Sequence, residues 1–286
     1  MARRFTLAEI RSRTYKSRDA WWTVWLVDPL ASRLVRLVAP WPWATPNRLT
    51  SLAFLIGAGA AYCYWRAGYP WLLAGAALFH LSFVLDCMDG KIARLNGTGS
   101  VFGSWLDYVL DRLRVLVCAV ALFAGQYRET GSFVYVWLAG LVIFLDMFRY
   151  LNALQMGKVK AEMRQILEGA YAEETAEELP AGAAAGTDVY GDFRARFRGF
   201  VRVRNALVRQ RIRVHLVSGI EFMMFVFIVG PLLHRIVATT LVAAALLIGF
   251  ELLLIYKLWT AAKSFAAAAR VPGPRATAGH PAPRVP

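Results

Sequence analysis

The sequence predicts an all-α fold: a polytopic membrane protein with six transmembrane helices and an amino-terminal in-plane amphipathic helix. Three observations carry that expectation. Of the 286 residues, 58% are hydrophobic and the mean hydropathy is +0.44, a balance suited to a bilayer rather than to a soluble globule. Six apolar runs, at about 49–65, 71–90, 101–125, 132–156, 214–233 and 236–256, each approach the roughly 20 residues a helix needs to cross. The charge is sorted by side. With the amino terminus in the cytoplasm, 27 Lys and Arg fall on the cytoplasmic side and only Arg66, Arg128 and Arg235 on the other, as the positive-inside rule demands. This sorting places both termini in the cytoplasm. It also assigns the net charge of +14 to orientation and anionic lipid headgroups rather than to nucleic acid.

Residues 1–48 read as a cytoplasmic and interfacial segment. Arg3, Arg4, Arg11, Arg13, Lys16 and Arg18 form a basic, solvated arm. Trp21, Trp22 and Trp25 then give the composition of a membrane interface. Asp28-Pro29 suits a helix start, an acidic cap followed by proline at the first helical position. Leu30, Leu34, Leu37 and Val38 fall on one face and Ser32, Arg33 and Arg36 on the other, the pattern of an in-plane amphipathic helix. Pro40 and Pro42 break it. Thr45-Pro46-Asn47-Arg48-Leu49-Thr50 opens the first span, where Asn47 and Thr50 can serve a helix cap or a ligand. Glycines and alanines at 57–61 favour close helix approach. No cleavable signal peptide is visible, and insertion is expected through the first span.

The six-span catalytic unit covers 49–256, with a cytoplasmic loop at 157–213 whose middle, Glu168 to Asp192, is acidic and rich in small residues and reads as disordered. The loop ends in arginines interleaved with Phe193, Phe197 and Phe200, which immediately before a span reads as interfacial. Cys63, Cys87 and Cys118 lack ligand spacing and read as core residues. In the fourth span Asp146 and Arg149 stand at i, i+3 and read as a neutralising pair. Residues 257–286 read as a disordered cytoplasmic tail.

Four carboxylates within an apolar region are the chemically loaded feature. Asp86 and Asp89 are three apart and Asp107 and Asp111 four apart, so each pair shares a helix face. The second run heads inward and the third returns, which brings both pairs to a cytoplasm-facing pocket. Four acids converging there require protons or cations, and oxygen-only ligands suit Mg²⁺ or Mn²⁺, one or two ions. Gly90, Ala93 and Gly103 keep the helix walls open for a ligand, and Arg94 offers a fork for phosphate. Arg112 and Arg114 follow the last acid and must reach a partner or the cavity.

Asp86-x2-Asp89-Gly90-x2-Ala93-Arg94-x8-Gly103-x3-Asp107-x3-Asp111 resembles, without a gap or substitution, the signature of the CDP-alcohol phosphotransferase (phosphatidyltransferase) family. The Thr-Pro-Asn segment with Thr50 is also similar to the family, close to its nucleotide. The resemblance implies a six-helix enzyme, a homodimer, that transfers a substituted phosphoryl group from a CDP-alcohol to an acceptor alcohol and releases CMP. It implies that Asp86, Asp89, Asp107 and Asp111 hold the metal and that Asp111 is also the catalytic base. Asn47, Thr50, Gly90, Ala93, Arg94 and Gly103 would then bind the CDP portion. CDP-diacylglycerol with an acceptor such as inositol phosphate or glycerol phosphate is the expected pairing. Its alternative is a CDP-linked ethanolamine or choline with a lipid alcohol. A cation transporter, the rival from another class, needs no nucleotide cradle and shows no pair of broken helices.

Overall fold

The structure is a computed structural model that describes residues 5–174, 207, 209–213 and 216–268. Among these residues regular structure is helical: α1 (Leu7–Thr14), a π-helical turn (Thr23–Val27), α2 (Asp28–Val38), α3 (Pro46–Arg66), α4 (Tyr69–Asn96), α5 (Val101–Thr130) and α6 (Val134–Glu174). After the loop come α7 (Gly219–Met224), a second π-helical turn (Phe225–Val229), α8 (Gly230–Leu232) and α9 (Ile236–Ala268). The only β-type pairing among them is an isolated parallel bridge between Asp19 and Ile212.

Among the described residues three helical stretches are long and apolar enough to cross a membrane by length and composition: Tyr69–Asn96, Val134–Ile166 and Ile236–Lys263, with Gly219–Leu232 a shorter apolar helix. Helices also stand at the other two predicted runs. Their composition is diluted by what they carry, two arginines and two tyrosines in α3 and two aspartates, a glutamate and three arginines in α5.

The chain divides into two compact units, Met1–Asn152 with Pro180–Phe250, and Ala153–Leu179 with Glu251–Pro286. In the first, α3 packs against both α4 and α5. Where lipid replaces water outside the helices, close van der Waals contact rather than apolar burial holds such a bundle. Small residues supply it. A Cβ on Gly125 of α5 would stand 2.5 Å from the Tyr64 carbonyl oxygen of α3, and one on Gly75 of α4 would stand 2.6 Å from the Tyr64 ring. Tyr64 is fully buried. Its hydroxyl donates to the carbonyl of Phe227, 2.5 Å away, in the second π-helical turn, where helical pairing is irregular. The second unit comprises the carboxy-terminal parts of α6 and α9.

Several expectations need correction. The amino-terminal arm is folded: α1 is closed by a capping box in which Thr6 and Glu9 satisfy each other's backbone N–H groups, and it packs on α4. Asp28 does not cap α2. The preceding π-helical turn runs straight into the helix, and the Asp28 carboxylate turns to Lys91 instead. Helix α2 packs on α4 with a narrow face of Asp28, Ala31, Ser32 and Val35 buried, while Leu30 and Leu37 join Arg33 and Arg36 outside. Small side chains allow that close approach, so they rather than the leucines face the protein.

Helix α6 continues beyond 156 into the expected loop, because Lys158 to Glu168 consists largely of good helix formers. Helix α9 reaches Ala268, with alanines extending it into the expected tail. The acidic middle of the loop past Glu174, its arginine-phenylalanine end up to 206, and the tail beyond 268 lie outside the described residues. Among the described residues the three cysteines are free.

Candidate active site

The two acid pairs meet as their helical spacing requires. Asp86, Asp89 and Asp107 each offer a carboxylate oxygen, and these oxygens lie within 4.8 Å of one another. Asp89 is buried, with 7% of its surface exposed. The Thr50 hydroxyl, on α3, stands 2.5 Å from Asp89 Oδ2 and 3.0 Å from the Pro46 carbonyl. The charged acceptor makes the stronger hydrogen bond. Thr50 thus orients one of the three acids by direct contact.

Asp111 lies one turn further along α5 and stands outside that trio. Its Oδ1 accepts from Arg114 Nη2. Arg112 Nη2 stands 3.9 Å from its Oδ2. Arg114 also donates from Nη1 to Asp86 Oδ1 and to Ser82 Oγ, both at 3.2 Å. Arg112 gives its Nη1 to both oxygens of Asp146, at 2.5 and 2.6 Å, and its guanidinium lies over the Tyr150 ring at 3.6 Å. The carboxylate of Asp146 therefore pairs across to α5, where the i, i+3 spacing had pointed to Arg149.

A cavity of about 260 Å³ opens on this cluster. Asp86, Asp89, Gly90, Arg94, Asp107 and Asp111 line it, so six of the predicted residues share one space. Arg94 is hinged beside Gly90: its Nη1 lies 3.4 Å from where a Cβ would stand, and its Nε donates to the Thr14 carbonyl at 3.1 Å. Gly103 serves a different close approach. A Cβ there would meet Asn47 Oδ1 at 2.8 Å, so Asn47 and Gly103 fit each other where α3 meets the start of α5. Asn47, Thr50, Ala93 and Gly103 do not line the cavity. Asn47 instead lines a neighbouring cavity of about 520 Å³ with Thr45, Pro46, Asn96, Thr98 and Ser100.

The amino-terminal segment supplies a wall that sequence reasoning missed. Thr14, Lys16, Asp19 and Asp28 line the acid cavity with Lys91. Lys91 Nζ stands 2.7 Å from Asp28 Oδ1, with 5% and 3% of the two side chains exposed. Arg211 adds a bond to Asp28 Oδ2 at 3.1 Å and two to the Lys16 carbonyl at 3.0 Å. The Asp19 N–H donates to the Arg211 carbonyl and the Arg213 N–H to the Asp19 carbonyl, at 2.8 and 2.9 Å. Asp28 beside the tryptophans and a lone lysine two residues past Asp89 carried the available signal, charge complementarity between two apolar stretches.

Three hard oxygen donors within 4.8 Å of one another fit a divalent ion such as Mg²⁺ or Mn²⁺. Four carboxylates against Arg114 also leave an excess of negative charge that such an ion would offset.

Residues 43–172 match the CDP-alcohol phosphatidyltransferase family. An archaetidylinositol phosphate synthase of Pyrococcus horikoshii is 44% identical over 69 residues, 24% of this chain and 35% of that protein. One from Methanothermobacter thermautotrophicus is 32% identical over 118 residues, 41% of this chain and 54% of the relative. A CDP-diacylglycerol–glycerol-3-phosphate 3-phosphatidyltransferase of Cereibacter sphaeroides is 36% identical over 81 residues, 28% and 37% of the two chains. The matches thus span between about a third and about half of these curated relatives. The signature at 86–111 falls within the matched residues, and its acids are the ones that the fold gathers. Residues 43–172 thus carry the likeness of this chain to the CDP-alcohol phosphatidyltransferase family.

Proposed function

We propose that this chain transfers a substituted phosphoryl group from a CDP-alcohol, CDP-diacylglycerol in the first instance, to an acceptor alcohol such as inositol phosphate or glycerol phosphate. CMP is the leaving product. The observation that carries this reading is the convergence of Asp86, Asp89 and Asp107 inside the segment matched to the family. Relatives named for inositol phosphate and glycerol phosphate chemistry support a phosphate-bearing acceptor, and Lys16 and Arg94 on the cavity wall suit one.

In this reading Asp86, Asp89 and Asp107 hold Mg²⁺ or Mn²⁺, which supplies charge neutralisation at the pyrophosphate when bound. Thr50 keeps Asp89 turned toward that position. Asn47, Gly90, Ala93 and Gly103 shape the space for the CDP portion, and Arg94 pairs with a phosphate. Asp111 uses Oδ2, the oxygen opposite the one held by Arg114, to accept the proton of the acceptor hydroxyl. The acceptor oxygen forms a bond to the β-phosphorus, the bond from that phosphorus to the bridging oxygen breaks, and CMP departs with the bonding pair. The helices α3, α4, α5, α6, the α7–α8 segment and α9 serve as the six spans, with both termini and the acids on the cytoplasmic side. A homodimer, implied by the family resemblance, completes the reading.

The test is CMP release by purified protein from a panel of CDP-alcohols and acceptors, with the ethanolamine and choline donors included. Release with CDP-diacylglycerol and a phosphate-bearing polyol, lost in chelator and restored by Mg²⁺ or Mn²⁺, is expected. No release with any donor, or full activity in excess chelator after elemental analysis has excluded a retained ion, defeats it.

A further inference from the structure

We propose that Tyr150 is a specificity-determining residue for the acceptor: its hydroxyl hydrogen-bonds a second hydroxyl of the acceptor, next to the one that attacks, and Asp146 and Arg112 are positioning residues that hold its ring. This rests on the transfer reaction proposed above and commits its acceptor to be a polyol.

Asp146 and Arg112 are buried charges that the reaction leaves unused, with 3% and 11% of their side chains exposed. Apolar residues would join α5 to α6 as well as an ion pair does, and charges kept inside a span serve a function by default. Here the pair builds a stack. Arg112 gives one edge of its guanidinium to both oxygens of Asp146 and lays its face 3.6 Å from the centre of the Tyr150 ring. Asp146 and Tyr150 stand at i, i+4 on α6, so one planar group from α5 serves both. The Tyr108 ring meets the same ring edge-on, with centroids 5.9 Å apart at 74°. Both contacts are made to the ring of Tyr150, which leaves its hydroxyl to the cavity that Tyr150 lines.

The surroundings say what that hydroxyl reads. From α6 and α7 the cavity receives Tyr150, Ile220 and Met223, so the phenol is the polar group of an otherwise apolar wall. Such placed groups fix orientation in a site. Arg112 ties the wall to the chemistry, because its Nη2 stands 3.9 Å from Asp111 Oδ2, the oxygen assigned to the acceptor proton. The Tyr150 ring and that oxygen therefore flank one guanidinium. A phenol is a neutral donor and acceptor and suits a neutral hydroxyl, while Lys16 and Arg94, from the amino-terminal segment and α4, serve a phosphate. A site that hydrogen-bonds a substrate hydroxyl rejects the analogue that lacks it.

Acceptor discrimination by the full chain in lipid nanodiscs tests this. Glycerol phosphate is compared with hydroxypropyl phosphate, which lacks the hydroxyl beside the attacking one, and inositol phosphate with the analogue lacking a hydroxyl at that place. Two readouts are taken, kcat/KM for CMP release from CDP-diacylglycerol and calorimetry of acceptor binding to the chain loaded with Mn²⁺ and CMP. Within the preferred pair the parent should favour the polyol by about tenfold, the worth of one good hydrogen bond, and Tyr150→Phe should bring the two acceptors close to equality. Arg112→Lys keeps a charge for Asp146 but loses the plane that stacks, and should lower the discrimination too, through the KM of the polyol. A parent without preference for the polyol, or a Tyr150→Phe protein that discriminates as the parent does, overturns the proposal. Parental discrimination in Arg112→Lys overturns the role given to Arg112 and Asp146. Loss of discrimination in binding by Tyr150→Phe, in a chain that releases no CMP, defeats the transfer reaction and keeps this inference. Release of CMP with discrimination untouched by Tyr150→Phe does the reverse, and a chain that binds neither kind of acceptor overturns both.

Discussion

Replacing Asp28 and Lys91 separately should give unequal losses, because their surroundings differ. Lys91 is 4% exposed. It donates to Asp28 at 2.7 Å, and its other close feature is the Tyr15 ring, 5.5 Å from Nζ. Asp28, by contrast, also binds Arg211 at 3.1 Å. Asp28→Leu therefore leaves a buried ammonium without the carboxylate it donates to, and breaking a buried pair in that way costs about 3–5 kcal/mol. Lys91→Met removes one charged hydrogen bond but leaves Asp28 compensated by Arg211, a loss of roughly 1.5–3 kcal/mol. The double variant should recover most of the Asp28→Leu loss, since both buried charges are gone and the Arg211 side chain, 29% exposed, can turn to water. Reversible unfolding of the four proteins in one detergent measures the cycle, and proteolysis of segment 5–20 reads the local consequence. A Lys91→Met loss equal to or larger than that of Asp28→Leu, or a double loss equal to the sum, would refute the geometry argued here.

Asp111→Asn keeps the size of the side chain but cannot take a proton, so single-turnover CMP release should fall by roughly 10² to 10⁴ with CDP-alcohol affinity largely retained. Asp86→Asn should weaken metal and CDP-alcohol binding together, and calorimetry separates the two. Thr50→Val removes the hydroxyl that holds Asp89 at nearly constant volume, and Mn²⁺ affinity measured by titration should drop by about 10- to 100-fold, as for other groups that orient a ligand. For topology, a reporter fused after Arg128 should read outside and one near Gly182 inside; the inverse pattern would place the acids on the far side of the membrane.

Much of the site was legible because helical period constrains it. Asp86 with Asp89 and Asp107 with Asp111 each share a face on spacing alone, and the turn between α4 and α5 is short enough to bring the faces together. Gly97 allows that turn by ending α4 at φ +66°, a left-handed value suited to glycine. The arginines were less legible. Asp111 and Arg114 stand at i, i+3 and do pair, yet Asp146 and Arg149 have the same spacing and the Asp146 carboxylate goes to Arg112 instead. Spacing states which contacts a helix permits, and the neighbouring helix decides which of them form. The amino-terminal wall was illegible for a related reason. A basic segment ahead of a membrane looks the same whether it lies on lipid or on protein. The burial of Asp28 against Lys91, 63 residues away, separates the two.

That distant contact bears on catalysis as well as on stability. Ser82, Asp86 and Asp89 stand at i, i+4 and i+7 on α4, one face that serves Arg114 and the acid trio. Lys91 and Arg94 follow on the next turn and are held by Asp28 and the Thr14 carbonyl. The end of α4 is thus fixed from two sides, by α5 through charge and by the amino-terminal segment through the clamp. Asp107, on α5, has no share in the clamp. Releasing the clamp would leave each acid chemically intact while letting Asp86 and Asp89 drift relative to Asp107. Misplacement by about 1 Å of groups that must act together can cost on the order of 10²-fold in rate. The Lys91→Met protein should accordingly lose turnover out of proportion to its modest loss of stability, and the Asp28→Leu/Lys91→Met protein, restored in stability but without the ion pair, should remain slow. If the double variant regained the parent rate of CMP release, the clamp would be a stabilising contact alone, and the placement of the acids would rest entirely on the packing of α3, α4 and α5.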